Sequence, residues 1–361
     1  MKLNYRKAIE PLEPYVPGRP IDAVKKLYNL DRVVKIASNE NPGGCSPRVA
    51  EAVAEALKST AVYPDGNCTR LREALAARIG VSPDMLVFGA GVDELISMAC
   101  KVFIGDGDEC VTGEVTFSQY EASVVAMGGK TVLAKMRDNA YDLDGLIARI
   151  TPRTRLIFIA NPNNPTGTAF FEDEQREFIK KVPENVIVVF DEAYAEYAGT
   201  DRFPKTLEYL KEYRNVILMK TFSKIYGLAS LRVGYAAASP EIIKLFEKIR
   251  NPFNVSSMAQ AAALAAIGDD GFVAESARLN SEVKAYFCGE LDGMGVKYIP
   301  TYANFVLVKI NGSSMEMFES LMRRGYIIRA GKPLGMEGWI RVTFGTMEEM
   351  KGFLGVLKEL L

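Results

Sequence analysis

The stretch Val186-Ile187-Val188-Val189-Phe190-Asp191 is a continuous apolar run, rich in β-branched residues, that ends in a carboxylate. Such a run fits a strand buried on both faces, as the strands of parallel sheets are. Six further short runs share these features, and most are bounded by Gly, Pro, Asn or Asp: residues 85–88, 110–112, 131–134, 156–160, 216–219 and 233–238. Helical spacing of apolar residues lies between them, at 94–103, 172–181 and 241–249. The chain is therefore predicted to be an α/β protein with a mostly parallel seven-stranded sheet covered by helices.

The C-terminal part of the chain has a different order of elements. Its predicted helices are 275–291, 315–324 and 348–360, and its predicted strands are 297–299, 305–308, 326–329 and 339–343. This order favours a smaller α+β unit, joined by the N-terminal segment. The predicted boundaries are 1–44 for the N-terminal segment that packs with the small domain, 45–268 for the large domain and 269–361 for the small domain.

The composition excludes several kinds of function. The 361 residues carry 44 basic and 45 acidic side chains, so nothing favours a nucleic acid or an anionic membrane as a partner. The chain has no histidine, which excludes Ser-His-Asp catalysis and histidine-ligated metals. Five scattered cysteines without a Cys-x-x-Cys pair argue against zinc. Together with an N-terminus unlike a signal peptide, they favour a reducing, cytoplasmic location.

Chemically active residues follow several of the predicted strands. The loop Gly89-Ala90-Gly91 follows the first strand, Asn164 follows the fourth and Lys224 follows the sixth. Phe117 comes shortly after the second strand, and Asp191 ends the fifth. The carboxyl ends of parallel strands lie at one edge of a sheet, where open α/β sheets bind their ligands. These residues are therefore predicted to share one site.

Lys224 and Asp191 together predict pyridoxal phosphate chemistry. A lysine amine can form an imine with the aldehyde of this cofactor, and can then move a proton between the substrate carbon and the cofactor. A carboxylate at the ring nitrogen keeps that nitrogen protonated, so that the ring withdraws electrons. Taken singly, Lys224 is also explained as a surface lysine and Asp191 as a turn residue. Their combination with the other residues favours the cofactor.

The loop Gly89-Ala90-Gly91-Val92, between a strand and a predicted helix, favours a phosphate site, because a helix start attracts anions. Three side chains would complete this site: Thr221, Ser223 and Arg232. The loop by itself equally suggests a dinucleotide site, although Glu94 stands where the third glycine of Gly-x-Gly-x-x-Gly would be. A nicotinamide-dependent protein would leave the lysine and the aspartate unexplained.

Four further residues are candidates around the cofactor and the substrate. Asn164, in Asn-Pro-Thr-Gly, and Tyr194, in Asp-Glu-Ala-Tyr, can hydrogen-bond the phenolic oxygen of the cofactor. Phe117 can stack on the pyridine ring, although core packing explains it as well. Arg341 interrupts an apolar strand and suits a carboxylate or a phosphate. A position on the solvent face of that strand explains Arg341 equally.

Longer motifs indicate the family to which the chain is similar. The chain resembles the fold-type I pyridoxal-phosphate aminotransferases (class I and II) throughout its length. Within that group it most resembles the histidinol-phosphate aminotransferases. Four stretches carry this closer likeness: Pro14-Tyr15-Val16-Pro17-Gly18, Ser38-Asn39-Glu40-Asn41-Pro42, Tyr63-Pro64-Asp65 and Gly338-Trp339-Ile340-Arg341-Val342-Thr343.

The resemblance implies a role for each matching residue around the cofactor. Lys224 would be the Schiff-base lysine and Asp191 the partner of the ring nitrogen. Asn164 and Tyr194 would hold the phenolic oxygen. The phosphate contacts would be Ala90, Gly91, Ser223 and Arg232. Tyr63 would reach the cofactor phosphate of the neighbouring subunit, so the active unit would be a homodimer.

The resemblance also implies a substrate pocket. Arg341 would bind the anionic group of the substrate, and three further residues are candidates for the same pocket: Tyr15, Asn41 and Arg329. The chain departs from the family at Val115, where proline is frequent, and at Phe117, where many relatives keep a tyrosine. The residue at 117 still supplies an aromatic ring for stacking.

The implied reaction is a ping-pong transamination in histidine biosynthesis. L-Histidinol phosphate would give its amine to the cofactor and leave as imidazole acetol phosphate, and 2-oxoglutarate would then leave as L-glutamate. Two alternatives remain open on the same scaffold: an aromatic amino-acid aminotransferase, and a lyase-type enzyme that decarboxylates an amino-acid phosphate.

Overall fold

The computed structural model describes residues 3–14 and 18–361 and contains the predicted seven-stranded sheet. From edge to edge, the strands are Leu86–Gly89, Gly234–Ala238, Val216–Thr221, Ile187–Asp191, Thr154–Ala160, Glu109–Gly113 and Lys130–Ala134. Gly234–Ala238 is antiparallel to both of its neighbours, and all other pairs of adjacent strands are parallel. The predicted α/β class with a mostly parallel sheet is confirmed. Each predicted strand of this sheet ends within about two residues of the observed one.

Apolar side chains on both faces hold the large sheet between helices. In the strand Ile187–Asp191, Val188 and Phe190 join one buried cluster and Val189 joins the opposite one. Successive side chains of a strand point to opposite faces, so a strand covered on both sides is apolar at every position. One face is covered by Val92–Phe103, Gln119–Ala126 and Pro240–Ile249. The other is covered by Pro47–Leu57, Thr69–Ile79, Leu143–Ile147, Glu172–Lys181, Thr206–Glu212 and Ser257–Ala266.

The C-terminal part forms a second, antiparallel sheet with its own core. Its strands lie in the order Tyr298–Ile299, Phe305–Lys309, Trp339–Thr343 and Arg329–Ala330. Its core also contains residues of the helices Asp270–Gly293, Ser314–Arg323 and Met347–Leu360. The domain boundaries at 44 and 268 stay a prediction.

The N-terminal segment contacts the C-terminal unit through a short parallel pair. Val34–Lys35 pairs with Tyr326–Ile327, whereas Arg329–Ala330 pairs with Trp339–Thr343. The single strand predicted at 326–329 is therefore wrong, because the chain changes its pairing partner within that run. The N-terminal segment also contains the helix Ile21–Tyr28.

Several short elements complete the fold. The hairpin Met136–Arg137 and Ala140–Tyr141 was not predicted, since two-residue strands show no periodic pattern. The 3₁₀ helices are Lys7–Ile9, Pro83–Met85, Ala195–Tyr197, Ala229–Leu231 and Lys332–Leu334. Within the two described ranges, no helix combines the length and the apolar character that crossing a membrane requires.

Candidate active site

The predicted site residues converge at one edge of the large sheet. Gly89, Gly234 and Thr221 are register partners on three adjacent strands, and Ala160 pairs with Asp191 on two others. The loops at these strand ends therefore lie side by side. The parallel strands end at this edge and the antiparallel strand Gly234–Ala238 begins there, so residues far apart in the chain come together.

Lys224 lies in the loop after the strand Val216–Thr221 and is half-buried. Its Nζ donates a hydrogen bond to the carbonyl of Ser38 at 3.0 Å and lies 5.8 Å from the centre of the Tyr194 ring. Burial, and then the positive charge of Arg341, lower the pKa of the Lys224 amine to about 8. An appreciable fraction of this amine is therefore neutral near pH 7, as a nucleophile must be.

Asp191 ends its strand inside the protein and is 5% exposed. Its Oδ2 accepts a hydrogen bond from the Tyr120 hydroxyl at 2.7 Å, and its Oδ1 accepts one from the Ala193 N–H at 3.2 Å. Burial raises the pKa of this carboxyl to about 6, although both hydrogen bonds act to lower it. Asp191 is thus mostly ionised at neutral pH, and a buried carboxylate is best matched by a cation.

Tyr120 is a site residue that the sequence did not single out. It is fully buried, and its ring stacks on Phe158 with centres 4.8 Å apart. The edge of the same ring meets Phe117 at 5.7 Å, so Tyr120 contacts both Asp191 and the predicted stacking residue. In the sequence, Tyr120 stands out only as a tyrosine three residues after Phe117, and aromatic residues at this spacing are common in hydrophobic cores.

Tyr194 lies just after Asp191 and is held by two other parts of the chain. Its hydroxyl accepts a hydrogen bond from Asn39 Nδ2 at 2.9 Å, and its ring packs edge-on against Phe305 at 5.1 Å. Burial raises the pKa of the Tyr194 hydroxyl, so this group is a neutral donor at physiological pH. Asn39 belongs to a motif noted in the sequence, but no role was predicted for it.

Arg341 is buried in the seam between the two units, with 7% exposure. Its Nη1 donates to Asn164 Oδ1 at 2.5 Å and its Nη2 donates to the Ala37 carbonyl at 2.8 Å. The alternative of a solvent-facing position is therefore wrong. Arg329 lies directly opposite Arg341 on the next antiparallel strand, so the two residues share one face of the small sheet.

Gly91 and Arg232, two of the residues predicted for an anion site, lie together at the start of the helix Val92–Phe103. Gly91 has φ +84°, and a Cβ at this position would collide with the guanidinium of Arg232. Arg232 itself has φ +54°, a strained conformation that is frequent at functional sites. Its side chain donates to Ser223 Oγ at 3.4 Å and lies 3.2 Å from Asp93 Oδ2.

Two of the predicted phosphate contacts, the N–H groups of Ala90 and Gly91, donate hydrogen bonds to residues of the same segment. The N–H of Ala90 donates to Glu94 Oε2 at 2.6 Å, and the N–H of Gly91 donates to the Gly89 carbonyl at 2.7 Å. An anion at this site would therefore contact the start of the helix at Val92 and the nearby side chains of Ser223 and Arg232. Thr221 acts on Ser223, since its Oγ1 accepts the Ser223 N–H at 3.0 Å.

Two predicted residues, Asn41 and Tyr63, lie apart from this group or are engaged elsewhere. Asn41 Nδ2 donates to the Ile225 carbonyl at 2.8 Å and to Ser276 Oγ at 3.1 Å, so it anchors the loop that carries Lys224. Tyr63 is 79% exposed. Tyr15 lies outside the described residues, and its role stays a prediction.

The residues of the site match the requirements of pyridoxal phosphate. The chain provides a partly neutral amine and a buried carboxylate at the ends of neighbouring strands. Arg232 and the start of the helix Val92–Phe103 lie beside Gly91, a position where a side chain would collide with Arg232. These groups suit an aldehyde, a basic ring nitrogen and a phosphate.

Comparison with known proteins gives a consistent result. The sequence profile of the family described as aminotransferase class I and II matches residues 31–357. Histidinol-phosphate aminotransferase of Moorella thermoacetica is 46% identical over 99% of this chain and 92% of its own length. The enzyme of the same name from Bacillus subtilis is 41% identical over 99% of this chain and its whole length.

Solved structures agree with the sequence comparison. The histidinol-phosphate aminotransferase of Sinorhizobium meliloti, determined in complex with pyridoxal-5'-phosphate, superposes with a TM-score of 0.90 at 29% identity. The alignment covers 100% of this chain and 99% of that one. An aspartate aminotransferase of Thermus thermophilus has the same fold, with a TM-score of 0.88 at 20% identity over the full length of both chains.

Proposed function

Because this chain belongs to the aminotransferase class I and II family, we propose that it moves an amino group from L-histidinol phosphate to 2-oxoglutarate with pyridoxal 5'-phosphate as cofactor. The products are imidazole acetol phosphate and L-glutamate. The observation that carries this proposal is that Lys224 and Asp191 meet at one edge of the large sheet, and that Arg341 of the small sheet lies near enough to act on Lys224 and to bond Asn164. The names of the relatives supply the substrate, and the geometry supplies the chemistry.

When bound, the cofactor supplies an aldehyde that links to amines and a ring that accepts electrons. Lys224 provides the amine, because its pKa of about 8 leaves a reactive neutral fraction. The same Nζ would take a proton from the amine-bearing carbon of the donor and deliver it to the former aldehyde carbon of the cofactor. Asp191 holds the ring nitrogen in its protonated form.

The phosphate of the cofactor is bound at the helix start. Arg232 provides a fixed positive charge, Ser223 provides a hydroxyl, and Val92 lies at the positive end of the helix. The Tyr194 hydroxyl would donate a hydrogen bond to the phenolic oxygen, and Asn164 would be the second contact of that oxygen. Phe117 contributes its aromatic face to the ring.

Arg341 binds the anionic group of both substrates. It lies directly opposite Arg329 on two antiparallel strands, so two guanidinium groups share this face of the small sheet. A guanidinium binds a phosphate or a carboxylate through two parallel hydrogen bonds. One pocket therefore serves histidinol phosphate in the first half-reaction and 2-oxoglutarate in the second.

Replacing Arg341 with glutamine is expected to lower kcat/KM for both substrates by about 10²-fold or more, since a buried charged contact is worth about 2–5 kcal/mol. Each half-reaction is measured separately by the absorbance change of the cofactor. Arg329→Gln is the control and should have a smaller effect, because Arg329 is only half-buried. Loss of one half-reaction alone would show that Arg341 does not serve both anions.

Turnover of different amino donors tests the substrate. Histidinol phosphate is expected to convert the cofactor to its amine form with a kcat/KM at least about 10²-fold above that of phenylalanine, because its phosphate carries more negative charge for Arg341 than the carboxylate of phenylalanine does. Preference for phenylalanine would establish the aromatic aminotransferase instead. Release of carbon dioxide without the amine form of the cofactor would establish the decarboxylase.

We also propose that the active unit is a homodimer in which Tyr63 reaches the cofactor phosphate of the partner subunit. Tyr63 is 79% exposed and stacks on Phe253, which is itself exposed, with ring centres 4.7 Å apart. Val62, next to Tyr63, is 70% exposed. An exposed apolar patch of this kind suits contact with another protein surface.

Mixing two inactive or weakened variants tests the position of Tyr63. Lys224→Ala and Tyr63→Phe chains, unfolded together and refolded as a 1:1 mixture, should regain activity above the sum of the separately refolded chains. In a mixed dimer, one site then has both Lys224 from one chain and Tyr63 from the other. No gain, with mixed dimers shown by native mass spectrometry, would mean that Tyr63 serves its own subunit.

A cytoplasmic location remains part of the proposal. It is supported by five cysteines that are free thiols in the fold.

A further inference from the structure

Three consecutive residues of the N-terminal segment contact the predicted catalytic and substrate side chains. The carbonyls of Ala37 and Ser38 accept hydrogen bonds from Arg341 and Lys224, and the third residue, Asn39, contacts Tyr194. Asn39 differs from the other two because it acts through its side chain. It is 1% exposed and has φ +56°, a conformation that costs energy for any residue with a side chain.

Asn39 makes two hydrogen bonds with Thr343, and its side-chain oxygen faces that residue. Thr343 Oγ1 accepts the backbone N–H of Asn39 at 3.0 Å. The single proton of that hydroxyl is then available for Asn39 Oδ1, which lies 3.0 Å away. The amide oxygen therefore faces Thr343, and the amide nitrogen faces Tyr194 at 2.9 Å.

An amide nitrogen can only donate, so the Tyr194 hydroxyl is the acceptor in this contact. The one proton of that hydroxyl must then point elsewhere. We propose that Asn39 is a positioning residue that directs the Tyr194 hydroxyl proton toward the phenolic oxygen of the cofactor. This inference rests on the proposed function, which places that oxygen beside Tyr194.

The arrangement also links the two halves of the site. Thr343 lies two residues after Arg341 on the strand Trp339–Thr343, so both side chains leave the same face of that strand. Asn304 Nδ2, from the small unit, donates to the Asn39 carbonyl at 3.1 Å. Asn39 thus joins the strand that carries the substrate arginine to the tyrosine that contacts the cofactor.

The test replaces Asn39 with aspartate, which keeps the oxygen that Thr343 needs and exchanges only the donor for an acceptor. The Tyr194 hydroxyl would then donate to the new carboxylate and no longer to the cofactor. A hydrogen bond to the phenolic oxygen stabilises its negative charge, so its loss should raise the midpoint of the visible absorbance titration of the bound cofactor. The expected shift is about one pH unit.

A new carboxylate also raises this midpoint through its charge alone, so the substitution is made in two backgrounds. Asn39→Asp should shift the midpoint by about one pH unit more in the native chain than in a Tyr194→Phe chain. The charged groups that act on Tyr194, namely Arg341, Asp191 and Asp93, are the same in all four proteins. The dissociation constant of the cofactor, measured alongside, should rise about tenfold.

Equal shifts in the two backgrounds would overturn the role of Asn39 while leaving the proposed function intact. A Tyr194→Phe chain that titrates like the native one would overturn the contact between Tyr194 and the cofactor, and with it this inference. If Asn39→Asp does not fold, Thr343→Val is used instead, because it removes the hydroxyl that bonds the Asn39 amide. We expect Thr343→Val to shift the absorbance midpoint by less than Asn39→Asp, and we expect no shift from it in the Tyr194→Phe background.

Asn215→Asp is the matched control for placing a carboxylate at a buried asparagine. Asn215 is 8% exposed, and its Nδ2 donates to the Val186 carbonyl at 2.8 Å. It precedes the strand Val216–Thr221 and so lies at the sheet edge opposite the site. This variant should lose thermal stability without a change in the absorbance titration. If Asn215→Asp shifts the absorbance midpoint as much as Asn39→Asp does, then any buried carboxylate causes the shift and it is not specific to Asn39.

Discussion

Replacing Lys224 with alanine is expected to lower the transamination rate by about 10⁴-fold or more. The substitution removes both the amine that links to the cofactor and the group that moves the proton, and a positioned acid/base by itself contributes roughly 10²–10⁴-fold. The fold should survive, because within residues 3–14 and 18–361 the Lys224 amine makes a single hydrogen bond of 3.0 Å, to the Ser38 carbonyl.

Single-turnover rates with histidinol phosphate measure this loss, and chemical reduction locates the covalent link. After treatment with borohydride, mass spectrometry of the native protein should find the cofactor on the peptide that contains Lys224. Lys211→Ala, at an exposed lysine, should retain full activity and labelling. A Lys224→Ala enzyme with near-native turnover, or a label on another lysine, would contradict the assignment.

Replacing Asp191 with asparagine is expected to lower kcat by roughly 10²–10⁴-fold. The substitution leaves the protonated ring nitrogen without its buried partner, and breaking a buried ion pair costs about 3–5 kcal/mol. The side chain keeps nearly the same volume and can still contact Tyr120 and the Ala193 N–H. The substitution should therefore lower kcat and the affinity for the cofactor more than it lowers the free energy of unfolding.

The pH dependence of cofactor affinity identifies the charge of Asp191 as the cause. Burial raises the pKa of this carboxyl to about 6, so its charged form is lost as the pH falls through about 6. The affinity of the native chain should fall in the same range, and this step should be absent from Asp191→Asn. Tyr120→Phe removes a hydrogen bond that lowers the pKa, so it should move the step to higher pH. A step of equal size in all three proteins would belong to the cofactor phosphate and not to Asp191.

The large sheet was predictable because its signal is local. Each strand is a short apolar run bounded by residues that favour turns, and a strand buried on both faces needs no longer-range information to be recognised. The single predicted strand at 326–329 failed for the opposite reason, since its two halves pair with segments about 290 residues upstream and 12 residues downstream. Pairing partners of this kind leave no periodic trace in the run itself.

The candidate site likewise contains residues that were predicted from the local sequence and residues that were not. Lys224 and Asp191 were predicted from their places at strand ends, whereas Asn39 and Tyr120 were not singled out. Asn39 contacts Tyr194 across 155 positions, and Tyr120 contacts Asp191 across 71. Asparagine and tyrosine are frequent in turns and cores, so their identity alone indicates no partner.

The order of apolar runs and polar strand ends by itself determined the α/β class, and it predicted the sheet edge for a ligand and the chemistry expected there. The class follows from short apolar runs that neighbouring residues reveal, and the predicted shared edge follows from the expectation that these strands run parallel. Only the tertiary structure decided that residues 37–39 hold Arg341, Lys224 and Tyr194. It also decided the pKa values of about 8 and about 6 at Lys224 and Asp191. Burial and charge act through space, and their effect on a side chain is defined only once distant segments have packed around it.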